Sequence, residues 1–128
     1  MAIANLQEML LSYTKQQTAI NEKLSNVMMN TAFATRSHAD KQKQYNEKVQ
    51  NYYYEYYESD KDTYYDLIEL IENEHELDLA RLESWESSLE AEKNELETQL
   101  NEIVTYKDNW TKLLSNNIKK DFTYGSVS

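Results

Sequence analysis

The chain is predicted to be all-α: two long helices in an antiparallel coiled-coil-like hairpin, followed by a short non-helical C-terminal tail. Three observations carry this expectation. Proline is absent from the 128 residues and the only glycine is Gly125, so almost nothing in the sequence can stop a helix. Apolar residues recur at heptad spacing in both halves, the pattern that keeps one face of a helix on a partner. A polar run breaks the pattern near the midpoint, where a chain of this kind folds back on itself.

Helix 1 is expected over about residues 3–57. With Ile3 as position a, the seam reads Ile3, Leu10, Gln17, Leu24 and Thr31 at a, with Leu6, Tyr13, Ile20, Val27 and Ala34 at d. Beyond Ala34 the frame passes through His38 and Lys41, which prefer water to a core. The small residues Thr31, Ala32, Ala34, Thr35, Ser37 and Ala39 make this stretch thin. Met9, Met28 and Met29 could line an adaptable groove or touch a membrane surface, with only Lys15 and Lys23 nearby to attract one.

The turn is placed at about 58–62, in the run Glu58-Ser59-Asp60-Lys61-Asp62-Thr63, where Ser, Asp and Thr are available as helix N-caps. The rival is one continuous helix through 58–63, because neither glycine nor proline enforces a break there.

Helix 2 is expected over about 62–120. Asp66 and Glu69 in its early turns suit the positive end of the helix dipole, and Lys112, Lys119 and Lys120 suit the negative end. Leu67, Leu70, Ile71 and Leu77 would serve its first third. A second seam then runs Leu82, Leu89, Leu96, Ile103 and Trp110 at strict intervals of seven, with Trp85 at d, and both tryptophans read as core. The step from Leu77 to Leu82 is out of phase, so a local shift of the seam is expected there. Residues 121–128 read as the tail, and 1–128 as a single hairpin domain.

Two ~55-residue helices would each run ~80 Å, and a two-helix rod has no deep interior, so much of its stability should come from neighbours. Oligomerisation is the default expectation. The formal net charge is −10. Residues 1–58 carry six acidic and six basic side chains, so all of the net charge lies in the second half. Such a surface repels a phosphate backbone, and nucleic acid is not an expected partner. A basic or helical protein partner fits better. The stretch Asp66–Glu102 holds thirteen acidic residues against Arg81 and Lys93, most simply a solvated face, and the neutral first helix is its natural complement.

Cysteine is absent, which removes disulfides and thiolate metal sites. No apolar run approaches a membrane span, and the N-terminus lacks the layout of a Sec signal, since Asn5, Gln7 and Glu8 interrupt it. Synthesis in the cytoplasm is expected, with export by a route that reads no cleavable signal left open. No catalytic residue, cofactor site or metal site is expected: no nucleophile is paired with a base, and no glycine-rich loop exists to cradle a phosphate. Glu72 and His75 have the Glu-x-x-His spacing of di-metal bundles, but the second copy such a centre requires is missing, since Thr35 precedes His38 by three.

The most distinctive local feature is aromatic. Tyr52, Tyr53, Tyr54, Tyr56, Tyr57, Tyr64 and Tyr65 place seven of the eleven tyrosines within fourteen residues. The first five cover an arc of roughly 200°, wider than the ~100° stripe that one partner helix can bury. Tyrosine supplies large contact area at low entropic cost, so these residues are the candidate surface for contact between molecules. The bland alternative is that half face the hairpin partner while the rest are solvated. A small acidic hairpin with no signal sequence, a polar break and a short tail resembles, in architecture, the subunits of bacterial secretion needles and filaments, which implies a non-enzymatic, self-assembling subunit that forms a homo-oligomer or polymer. The alternative is a soluble helical adaptor or export chaperone that binds a basic or amphipathic partner.

Overall fold

A computed structural model describes the backbone of residues 2–127 and the side-chain surroundings of residues 2–121. The described residues form two α-helices: α1 spans Ile3–Tyr56 and α2 spans Lys61–Val127. They pack against each other as a hairpin, with no strand among the described residues.

Residues 57–60 connect the helices. The Tyr57 and Asp60 amides continue the helical pattern by bonding the carbonyls of Tyr53 and Tyr56, at 3.1 and 2.7 Å. Asp60 then caps α2. Its carboxylate accepts from the Thr63 amide at 3.2 Å and the Thr63 hydroxyl at 2.6 Å, which satisfies one of the amides that a helix start leaves unpaired. Those bonds favour the charged form and hold the Asp60 carboxyl below its ordinary pKa, the side-chain bond from Thr63 first. The turn therefore forms without glycine or proline because a side chain does the capping.

The chain divides into two compact units, Met1–Val27 with Glu92–Ser128, and Met28–Ala91. In the first, Leu6, Ile20, Val27 and Leu96 are buried, and Ile3, Leu10, Leu24, Ile103 and Trp110 are half-buried beside them. The Tyr13 and Tyr106 rings lie 6.1 Å apart, and Lys107 donates to Gln17 Oε1 at 3.3 Å. In the second, Ala34, Ile71 and Leu89 are buried. The cross-helix pairs Tyr53–Tyr64, Tyr45–His75, Lys41–Asp78 and Phe33–Trp85 fall in number on α1 as they rise on α2, which fixes the antiparallel sense there. Every buried residue of α1 occupies position d of its heptad, while the apolar a positions are half-buried.

Two expectations need correction. The seam of α2 does not shift between Leu77 and Leu82: half-buried or buried positions run Ile68, Ile71, His75, Asp78, Leu82, in step with the heptad that follows. Leu70 and Leu77 are left 53% and 52% exposed instead of serving the seam. The reason is that His75 and Asp78 find polar partners on α1, so the frame has no need to move to reach a leucine. Second, His38 and Lys41 stay at half-buried seam positions, because Glu86 and Asp78 of α2 meet them. In the segment 121–128, read as a tail, helical backbone is described as far as Val127. A lone glycine costs a helix about 1 kcal/mol and does not by itself end one. Lys112, Lys119 and Lys120 consequently lie short of the last turn, which carries no basic residue. Ser128 lies outside the described residues. Trp85 and Trp110 are half-buried, Trp85 meeting Phe33 edge-on at 6.0 Å.

Candidate interaction surface

At 100° per residue no single partner helix covers five consecutive-turn tyrosines, and the structure divides them. Tyr52 and Tyr56, one turn apart, are half-buried with ring centroids 6.3 Å apart. The neighbouring charge of Glu55 pushes the Tyr56 phenol above its ordinary pKa, with burial adding to it. Tyr53, Tyr54 and Tyr65 are 46%, 76% and 58% exposed.

The exposed and half-buried rings form one network in the second unit. Tyr53 stacks on Tyr57 at 4.6 Å and meets Tyr54 and Tyr64 edge-on at 5.8 and 6.0 Å. Tyr64 in turn meets Tyr57 and Tyr65, both at 5.4 Å. Five of the seven predicted tyrosines thus touch across the turn, and edge-to-face pairing at these distances adds to what area burial alone supplies. Tyr57 is half-buried inside the network, whereas its place on the helical wheel puts it away from the seam. Its position follows from the turn, which brings Tyr64 back onto it. The Lys61 ammonium lies 5.0 Å from the centre of the Tyr57 ring, so these rings already hold a cation.

Beside the network is an open groove of about 360 Å³. One wall is the row Tyr45, Val49, Tyr53, spaced by four and so stacked along α1; the adjoining row ends in Tyr54, and Tyr64 closes the groove from α2. Tyr45 and Val49 belong to this surface although the aromatic run starts only at Tyr52. The i, i+4, i+8 spacing of Tyr45, Val49 and Tyr53 was the available signal.

Between the groove and Phe33–Trp85 the two helices meet through polar contacts. His38 Nε2 lies 3.6 Å from Glu86, an ion pair only when the imidazole is protonated, and Lys41 Nζ lies 3.5 Å from Asp78. His75 Nε2 shares a 3.1 Å hydrogen bond with Gln42 Oε1, and the His75 ring stacks on Tyr45 at 4.5 Å. Both ion pairs are about a third exposed or more, where such pairs contribute at most about 1 kcal/mol each. They hold register more than they hold the helices together. Glu72 and His75, the pair with di-metal spacing, are engaged separately with Tyr45 and Gln42. Among the described residues no three carboxylate or imidazole side chains converge as a cation site.

The Tyr45 hydroxyl donates to Glu72 Oε1 at 3.4 Å. Burial, then the Glu72 charge, raises the phenol above its ordinary value of 10.0. A raised pKa means the folded state favours the neutral phenol, so its contribution is complete below about pH 10 and is lost as pH rises through the higher folded value. Chemical denaturation of Tyr45→Phe is therefore expected to show a shallower loss of stability than wild type between about pH 10 and 12. An identical alkaline decline in both proteins would rule the linkage out.

No helix among the described residues is long and apolar enough to cross a membrane. Comparison with known proteins found no matching family model, no matching curated protein and no matching solved structure. The residues themselves define the class: a two-helix, all-α hairpin protein with an aromatic cluster at its turn.

Proposed function

We propose that this protein is a non-enzymatic structural subunit that assembles with copies of itself, and that the tyrosine surface at the turn is one of its contacts. The observation that carries the reading is the exposure of Tyr53, Tyr54 and Tyr65 together, in a network already ordered by ring contacts. Side chains held in place lose little entropy on docking, which favours contact. Further apolar side chains, among them Leu11, Met28, Met29, Phe33, Leu70 and Leu77, are more than half exposed, each leaving apolar area that a partner would cover. Assembly of the kind built by secretion needles and filaments, after export by a route that needs no cleavable signal, is the biological setting this architecture suits.

Size measured against concentration tests the reading. Sedimentation or light scattering on the purified chain is expected to show species that keep growing as concentration rises. A size that stops at a dimer or tetramer would exclude an open-ended subunit and favour an adaptor whose acidic α2 holds a basic or amphipathic partner.

A further inference from the structure

We infer that the copies join head to tail, the tyrosine groove at the turn of one chain receiving the lysine-bearing face of α2 near residues 112–120 of the next; this rests on the self-assembly reading. The aromatic lining of the groove and the charge around it select the occupant. Tyr45 and Tyr53, at the two ends of its α1 wall, are eight residues and so about 12 Å apart along the helix. Residues 45–72, which hold the groove and its flank, carry Glu47, Glu55, Glu58, Asp60, Asp62, Asp66, Glu69 and Glu72 against Lys48 and Lys61. The occupant should therefore be a helix face with cations at a matching spacing around an apolar centre. Lys61 over Tyr57, whose ring stacks on Tyr53 of the groove wall, shows that the adjoining aromatic network accepts an ammonium group.

The same chain presents such a face. Lys112, Leu113, Asn116 and Lys120 lie on one side of α2 at spacings of one, four and eight, and all four are exposed. Lys112 and Lys120 are again about 12 Å apart. Leu113, 40% exposed, lies between them and supplies the apolar insertion. Residues 107–121 carry Lys107, Lys112, Lys119 and Lys120 against Asp108 and Asp121, so this segment is basic within a chain of net charge −10. Groove and face are different surfaces, one in each compact unit, so the contact is heterologous: each copy uses both, and the assembly stays open or closes only as a ring. Two turn ends would instead repel each other.

Charge-swapped variants test this. Glu55→Lys with Glu58→Lys reverses two charges of the acidic segment that follows the groove's Tyr54, and Lys112→Glu with Lys120→Glu reverses the face; all four side chains are exposed, and circular dichroism checks that each variant remains helical. Each double variant alone is expected to associate at least about tenfold more weakly than wild type, because like charges then meet at the contact. An equimolar mixture of the two is expected to recover assemblies of wild-type size, the copies alternating. A mixture that stays small, or a Glu55→Lys, Glu58→Lys variant that assembles better than wild type, overturns head-to-tail pairing while leaving self-assembly standing. Wild-type protein that stays monomeric at every concentration overturns both.

Discussion

Replacing Leu96 by alanine is expected to destabilise the hairpin by about 2–5 kcal/mol, the range for deleting a buried leucine side chain where the surroundings relax only in part. Leu96 is 5% exposed and belongs to the strict heptad of α2. Leu77→Ala removes the same atoms from a side chain that is 52% exposed, and about 0.5 kcal/mol or less is expected. The contrast is informative because both leucines look alike in the sequence. Ile103, half-buried, should fall between them. Urea unfolding at a concentration low enough to avoid assembly measures all three. Equal losses at Leu77 and Leu96 would mean that the seam does not pass through His75 and Asp78, and small losses at both would mean that the seam is not packed.

The second large effect is on association. Tyr53, Tyr54 and Tyr65 are the exposed members of the aromatic network, and replacing all three by alanine is expected to leave helix content nearly intact. Aromatic side chains at the centre of a contact often contribute ≥2 kcal/mol each, and a tenfold change in association corresponds to about 1.4 kcal/mol. Three losses should therefore lower association by several decades. Tyr57, half-buried and stacked on Tyr53, is left out because its replacement would disturb the turn and confuse folding with assembly. Sedimentation of wild type and triple variant, with circular dichroism alongside, makes the comparison. A triple variant that assembles like wild type would remove the tyrosine surface from the contact.

Much of this architecture is legible in the sequence, because helix geometry is local. A chain without proline and with one late glycine has few places to end a helix, so the two long elements and the polar connection between them follow from composition and spacing. The heptad of α1 likewise marked Leu6, Ile20, Val27 and Ala34 as inward, and that of α2 marked Leu89 and Leu96; all six are buried. The clustering of seven tyrosines at the turn was equally plain. Which polar residues could occupy the seam was not legible, since that depends on what the other helix places opposite. His38 holds its position against Glu86, Lys41 against Asp78, and His75 against Gln42 and Tyr45. Those partners lie thirty or more residues away in the chain, and they are why Leu77 stays in water although it is the more apolar side chain. The same holds for Tyr57, which the helical wheel turns outward and Tyr64 draws into the aromatic network. Sequence determined where helices could run and which stripe of each was apolar; the folded hairpin alone decided which polar groups met, because hydrogen bonds and ion pairs between distant residues exist only once the chain has turned back at Asp60.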